Sequence, residues 1–309
     1  GIWQETTWTS YGENAKFTGL ALRSLGLEKG DVVSIASEGI PEWLFTDMGT
    51  IGAGGISSGI YTTDSAAQVK YLVNDSKTKF YFAENEEQLD KILEVRDECP
   101  SLKKIIVYDM EGLNEFKDDQ VLSYEEFIEL GKELDTDQPD LWLQSINSVE
   151  ADDIAILVYT SGTTGPSKGA MINHKNLLYS VNTGVEIFEV REHEEQLSFL
   201  PLCHILERSV SVMFPLKTGA IVNFAESIDT VPENIREVSP TVFVAVPRIW
   251  EKFYSSITIL MKDATFIGRY FYNLSINTCS KYKEYFIEVK EPPLKLKLMF
   301  WIFNQLVLK

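Results

Sequence analysis

The densest group of chemically capable side chains in this sequence lies between residues 159 and 171, which read YTSGTTGPSKGAM. Five Ser and Thr hydroxyls and one lysine lie among three glycines in this stretch. Glycine allows a positive φ and lets the backbone approach a ligand closely. Hydroxyls, free backbone N–H groups and a mobile ammonium group together suit a polyphosphate. The candidate phosphate-binding residues are Thr160, Ser161, Gly162, Thr163, Thr164, Gly165 and Lys168.

The segments on either side of this loop predict two strands. Residues 154–159 are apolar and rich in β-branched side chains, which is typical of a buried strand, and residues 170–173 resemble a short returning strand. We therefore expect a phosphate-loop hairpin over residues 153–173. The loop is not a Walker A motif, because Ser167 rather than glycine precedes Lys168. A mobile Ser/Thr/Gly linker is the alternative, and the apolar strand that leads directly into the loop argues against it.

The whole loop resembles the signature phosphate loop of the AMP-forming superfamily of acyl-CoA synthetases, luciferases and peptide-synthetase adenylation domains. Three other stretches are similar to its long-chain fatty acyl-CoA synthetase branch. They are GDVVSIASEGIPEWLFTDMGTIGAGGISSGIYTT at residues 30–63, PLCHILER at residues 201–208 and PTVFVAVPRIWEKF at residues 240–253. The resemblance therefore spans nearly the whole chain.

This resemblance implies an α/β fold with the layered αβαβα sheets of the adenylate-forming N-terminal domain. Repeated β–α–β patterns along the chain favour the same class. The resemblance assigns residues 1–309 to one truncated N-terminal AMP-binding domain, incomplete and without the C-terminal lid domain. Later family motifs, such as Gly-Gly-Ala-Pro and Tyr-Gly-x-Thr-Glu, do not occur in these residues. We therefore expect the chain to be inactive by itself.

The reaction that the resemblance implies has two steps. A long-chain fatty acid reacts with ATP to give an acyl-adenylate, and coenzyme A then takes the acyl group as a thioester. ATP, Mg²⁺ and coenzyme A are the expected ligands, and no residue of this chain is assigned to the metal. In the family, the position of His204 lies beside the acyl carboxylate and the α-phosphate, so His204 is the candidate catalytic residue. A structural histidine at a strand end is the alternative reading.

The sequence indicates the class of the carboxylic acid substrate less clearly than it indicates the reaction. Amino-acid-activating relatives carry an Asp near the position of His204, and residues 201–208 contain none. A site without that carboxylate is poorly suited to desolvating an ammonium group, which favours a fatty acid or another simple carboxylic acid. A ligase for medium-chain or aryl acids stays open, as does a non-catalytic module that binds nucleotides or acyl chains.

The amino-acid composition limits which kinds of molecule this protein is expected to bind. A formal net charge of −18 argues against a nucleic-acid partner, because phosphate backbones are bound by clustered Lys and Arg. The three cysteines are isolated, without the spacing of a zinc site or a disulfide framework, and a reducing cytoplasmic setting fits them. We expect small-molecule partners, and the sequence does not indicate an oligomeric state.

Several local expectations can be checked against the structure. Asp64 is a candidate N-cap, and residues 241–246 predict a strand. Arg208 is expected to pair with a carboxylate, and Trp250 to lie in a core. Residues 292–309 predict an apolar helix with a basic start. Burial is the favoured reading for this helix, and a peripheral contact with an anionic membrane is the alternative.

Overall fold

The computed structural model describes residues 2–160 and 165–306. The chain divides into two compact units, residues 1–243 and residues 244–309. In chain order, the first unit begins with the elements α1 (Trp8–Ser24), β1 (Val32–Ala36), α2 (Pro41–Gly52), β2 (Ile56–Ile60), α3 (Ala66–Ser76), β3 (Thr78–Ala83), α4 (Glu86–Val95), β4 (Lys104–Val107), β5 (Val121–Ser123), α5 (Tyr124–Asp137) and α6 (Leu141–Asn147).

The rest of the first unit carries a hairpin and a small second sheet. Its elements are β6 (Ile154–Thr160), β7 (Lys168–Asn173), α7 (His174–Phe188), β8 (Glu195–Ser198), α8 (Ile205–Arg208), a π-helical segment (Ser209–Met213), α9 (Phe214–Thr218), β9 (Ile221–Phe224) and α10 (Val231–Val238). Because α8, the π-helical segment and α9 follow one another without a break, they form one helical stretch with a π-helical interruption.

The main sheet has seven strands in the order β5-β4-β3-β1-β2-β6-β7. Every neighbouring pair is parallel except β6 and β7, which pair antiparallel. All five residues of β1 are buried, as expected for a central strand with helices on both faces. The predicted α/β class is confirmed.

Two apolar cores lie in the first unit. One core includes Trp43, Phe80 and Phe127, and the other includes Val69, Tyr81 and Leu89. The second core is packed partly by α3, whose residues Val69, Leu72 and Val73 are buried. This packing fixes α3 beside the carboxyl end of the sheet.

The local predictions for residue 64 and for residues 241–246 are wrong. Ser65, not Asp64, is the N-cap of α3, and it forms a capping box with Gln68. Residues 241–246 do not form a strand, and Val242 makes only an isolated bridge to Gln196. The N–H groups of Thr241 and Val242 both donate to the carbonyl of Glu195, so they do not alternate as a ladder requires.

In the second unit, the described residues form three helices, α11 (Pro247–Asp263), α12 (Phe266–Ile287) and α13 (Leu294–Leu306). The ring of Tyr282 in α12 stacks on that of Phe300 in α13, with centroids 4.2 Å apart. Trp250 is 50% exposed, so its predicted core position is wrong.

The predicted burial of the last helix is also wrong for the part that is described. Leu294, Leu298 and Trp301 of α13 are exposed, whereas Phe303 is buried. The helix packs one face on α12, which leaves the opposite apolar face outward. Within the described residues, no helix is both long enough and apolar enough to cross a bilayer.

Candidate functional site

A cleft of about 900 Å³ lies at the carboxyl ends of β2 and β6 in the first unit. Ligands of open parallel sheets bind at this edge of the strands. The described lining comes from the end of β2, from α3, from both arms of the hairpin and from the start of α8. It includes Gly59, Tyr61, Thr63, Asp64, Ala67, Gln68, Tyr71, Leu72, Val158, Tyr159, Thr160, Gly165, Pro166, Ser167, His204 and Ile205.

The hairpin presents the described part of the predicted phosphate loop to this cleft. Thr160 is the last residue of β6 and lies directly opposite Lys168, the first residue of β7. Gly165 has a φ of +103°, which disfavours any residue with a side chain. The exposed side chain of Lys168 is the cation that this register places nearest to Thr160 along the hairpin. Four predicted binding residues, Ser161, Gly162, Thr163 and Thr164, lie outside the described residues.

His204 lies in the same cleft, at the N-cap of α8. Its Nδ1 accepts a hydrogen bond of 3.2 Å from the backbone N–H of Leu206. Because Nδ1 is the acceptor, the neutral imidazole carries its proton on Nε2. That N–H can donate to an anionic oxygen, and the cleft thus brings a donor from His204 together with Thr160 and Gly165.

The loop before His204 packs directly against β2. A Cβ added to Gly59 would lie 2.5 Å from Cβ and 2.6 Å from Cα of Cys203, so only glycine permits this approach. Burial raises the pKa of the Cys203 thiol to about 12, so this thiol is protonated at neutral pH and is a poor nucleophile.

Two buried charges anchor the helix that begins at His204. Glu207 accepts hydrogen bonds from the hydroxyls of Ser198 and Ser211, at 2.7 and 2.8 Å. Burial raises the pKa of Glu207, and these hydrogen bonds oppose that rise by stabilising the carboxylate. The helix is thereby tied to the end of β8.

The second anchor is Arg208, which is fully buried and forms a bidentate pair with Asp47 of α2. Its guanidinium also lies over the ring of Trp43, 5.3 Å from the centroid. Trp43 and Asp47 are four residues apart, so they share one face of α2. The predicted pairing of Arg208 with a carboxylate is confirmed, and its role here is to fix α8 on α2.

One wall of the cleft was not predicted from the sequence. It is formed by Tyr61, Asp64, Gln68 and Tyr71, which lie just after β2 or on α3. Burial raises the pKa of Tyr61 to about 12 and also raises the pKa of the Asp64 carboxyl. Their position after the carboxyl end of a parallel strand is the signal that could have identified them.

Metal ligands are sparse in this part of the molecule. Among the described residues, no group of three or more His, Cys, Asp or Glu side chains could hold a metal ion. The described lining offers one carboxylate, that of Asp64. Such a cleft fits a Mg²⁺ ion that arrives on phosphate oxygens and keeps its waters, since Mg²⁺ often binds in this way.

Comparison with known proteins places this geometry in a family. The AMP-binding enzyme family matches residues 1–277. The long-chain-fatty-acid–CoA ligase ACSBG2 of Homo sapiens is 36% identical over 261 residues, which cover 82% of this chain and 38% of that protein. The chain therefore spans well under half the length of this relative.

Two solved structures share the fold. The anthranilate CoA ligase AuaEII in complex with anthranoyl-AMP has a TM-score of 0.65 at 25% identity, over 78% of this chain and 44% of that one. The N-terminal domain of FACL13 from Mycobacterium tuberculosis has a TM-score of 0.64 at 22% identity, over 79% of this chain and 56% of that one. The length of the family match and the identity to ACSBG2 together show that this chain belongs to the AMP-binding enzyme family.

Proposed function

We propose that this chain supplies the phosphate-binding and acyl-activating side of a ligase that converts a long-chain fatty acid into its coenzyme A thioester. The observation that carries the proposal is the cleft that brings the hairpin residues Thr160 and Gly165 together with His204. A polyphosphate held along the hairpin would place its α-phosphate near the imidazole. If the Ser/Thr/Gly-rich loop were only a mobile linker, it would have no such role in binding phosphate.

The reaction balances in two steps. A carboxylate oxygen of the fatty acid attacks the α-phosphorus of ATP, and the bond from that phosphorus to the bridging oxygen breaks, so pyrophosphate leaves. The thiol of coenzyme A then attacks the acyl carbon, loses its proton and displaces AMP. The first step brings two anions together, so it depends on donors and cations that neutralise the developing charge.

The residues of the hairpin and of the cleft suit this chemistry. Lys168 would neutralise charge on the β- and γ-phosphates, and Thr160 would donate its hydroxyl to them. Ser161, Gly162, Thr163, Thr164 and Gly165 complete the proposed phosphate-binding set. His204 would donate from Nε2 to the carboxylate or to the α-phosphate. Mg²⁺ bound to the phosphates would supply further charge neutralisation.

The choice of a long-chain fatty acid follows the name of the human relative, which is a long-chain-fatty-acid–CoA ligase. An aryl acid is the second candidate, favoured by the structural likeness to an anthranilate ligase. A non-catalytic nucleotide-binding or acyl-binding module is a third. Because the chain covers 38% of the human relative, we propose that the 309 residues alone do not complete the reaction.

Replacement of Lys168 by Ala tests the proposed function. We expect the fatty-acid-dependent exchange of pyrophosphate into ATP by the natural full-length protein to fall by about 10²-fold, the scale for loss of one charge-stabilising donor. Lys217→Ala is the matched control, because Lys217 is an exposed lysine that lies on α9 and not on the hairpin. Unchanged exchange in the Lys168 variant would exclude the proposed role of this lysine. The absence of exchange with fatty, aryl and medium-chain acids alike would favour the non-catalytic module.

A peripheral membrane contact is proposed for the second unit. Residues 244–309 contain ten Lys and Arg and five Asp and Glu, a formal net charge of +5, whereas the whole chain carries −18. Leu298 and Trp301 on the outward face of α13 are 58% and 61% exposed, and Lys295 lies on the same helix. A basic helix with exposed Leu and Trp fits the interface of an anionic bilayer.

Vesicle co-sedimentation tests this contact. We expect the protein to bind vesicles that contain phosphatidylserine, to bind phosphatidylcholine vesicles less, and to be released by salt. Lys295→Gln should weaken binding about fivefold, since each Lys near an anionic surface contributes about 1 kcal/mol. Lys217→Gln in the first unit is the control. Equal binding by both variants, or no binding at all, would contradict the proposed contact between α13 and an anionic membrane.

A further inference from the structure

The helix α3 lies along the cleft beside both arms of the hairpin. Tyr71 and Asp75 are four residues apart in α3, so they share one face of the helix. The helix is held from its other side by the buried residues Val69, Leu72 and Val73. A capping box also closes its first turn. Side chains on the face that carries Tyr71 and Asp75 therefore project from a rigid support.

The first link from this face reaches the arm that enters β7. The hydroxyl of Tyr71 donates a hydrogen bond of 2.8 Å to the backbone carbonyl of Ser167. Ser167 directly precedes Lys168, which opens β7. A single side-chain contact thus fixes the backbone next to the lysine that is proposed to neutralise phosphate charge.

The second link reaches the arm that leaves β6. The hydroxyl of Tyr159 donates a hydrogen bond of 2.8 Å to Oδ2 of Asp75. Burial, together with the bond to Asp75, raises the pKa of Tyr159 well above its usual value, so the hydroxyl stays protonated and able to donate. Tyr159 directly precedes Thr160, whose hydroxyl belongs to the proposed phosphate site.

Room for the Tyr159 ring is provided by the hairpin itself. Tyr159 lies opposite Gly169 in the register, and a Cβ on Gly169 would come within 3.1 Å of Cζ of the ring. Glycine at this position lets the ring lie across the neighbouring strand toward α3. The two links therefore hold the hairpin on both sides of the Thr160–Lys168 pair.

We propose that Tyr71, Asp75 and Tyr159 are positioning residues that clamp the two arms of the hairpin to α3 and so set the spacing of Thr160 and Lys168 for ATP. This inference rests on the proposed function, because it assumes that the hairpin binds ATP. The clamp would then affect the binding of ATP and not the binding of the fatty acid. Neither hydroxyl needs to touch substrate for the clamp to act. The effect should therefore appear mainly in the KM for ATP.

The test compares four variants of the natural full-length protein in the pyrophosphate exchange assay. Tyr71→Phe removes one neutral hydrogen bond and should raise the KM for ATP about fivefold. Asp75→Leu removes a charge-assisted hydrogen bond and should raise this KM about tenfold or more. Asp75→Asn keeps an acceptor oxygen for Tyr159, so its KM for ATP should stay within about twofold of the value for the unmutated protein. Tyr179→Phe, at an exposed tyrosine on α7, is the control.

The KM for the fatty acid and the melting temperature, measured in parallel, separate positioning from general stability. The proposal holds if the KM for ATP rises in Tyr71→Phe and Asp75→Leu while the KM for the acid stays within about twofold and Asp75→Asn recovers. It is overturned if both KM values change equally in step with a fall in melting temperature, or if neither changes. Failure of the unmutated protein to exchange pyrophosphate would instead refute the proposed function itself, and the clamp with it.

Discussion

Replacing Arg208 with Met is expected to lower the free energy of unfolding of the first unit by about 3–5 kcal/mol. Arg208 and Asp47 are both fully buried and form a bidentate pair. Methionine fills much of the arginine volume, so the loss comes mainly from the Asp47 carboxylate, which is left buried without its cation. Because Arg208 fixes α8 on α2, the same change should also displace His204 and reduce adenylation.

Urea denaturation followed by circular dichroism measures this effect, and a double variant isolates its cause. Asp47→Asn combined with Arg208→Met removes the stranded charge, so it should lose at least about 1 kcal/mol less than the sum of the two single variants. Arg236→Met is the matched control, since Arg236 is exposed on α10 and its loss should cost no more than about 0.5 kcal/mol. A single Arg208 variant as stable as the control would show that Asp47 is not dependent on this partner.

The hairpin was predictable because its signal is local. An apolar β-branched run led into a glycine-rich segment, and the returning strand followed within a few residues. The sequence predicted that Arg208 pairs with a carboxylate, but it did not identify which carboxylate. Its partner Asp47 lies 161 positions away, and periodicity does not identify a partner at that distance.

The contacts of α3 with the hairpin also could not be predicted from the sequence. Tyr71 and Asp75 occur in an ordinary amphipathic helix, and their types and spacing indicate only that they share a face. Their contacts with Ser167 and Tyr159 span 96 and 84 positions and depend on β2 lying next to β6 in the sheet. Strand order is set by tertiary packing, so no local pattern predicts these links.

The predictions for residues 241–246 and for α13 are wrong for a similar physical reason. The strand expected at residues 241–246 had suitable side chains, yet two successive N–H groups share the carbonyl of Glu195. The burial expected for α13 followed from its apolar composition, yet its packing on α12 covers only one face. In both cases the residues fit the predicted environment, and the available partner decided the outcome.

Replacing His204 with Asn is expected to lower the rate of adenylation by about 10²-fold, the lower end of the range for a positioned proton donor or acceptor. The fold should survive this change. His204 caps α8 through Nδ1, which accepts from the N–H of Leu206, and Asn is among the preferred N-cap residues. The substitution therefore keeps the structural role and removes the Nε2 donor that we propose acts on the carboxylate or on the α-phosphate.

The comparison with His204→Ala separates the two roles of this side chain. The Ala variant should lose the same catalytic factor and in addition about 1 kcal/mol of stability, because its helix loses the cap. Single-turnover formation of acyl-adenylate from MgATP and fatty acid measures the first effect, and thermal unfolding measures the second. If the Asn variant keeps the full rate while the Ala variant loses both rate and stability, His204 acts as a helix cap alone. If both variants lose the rate and only Ala loses stability, the imidazole takes part in forming the adenylate.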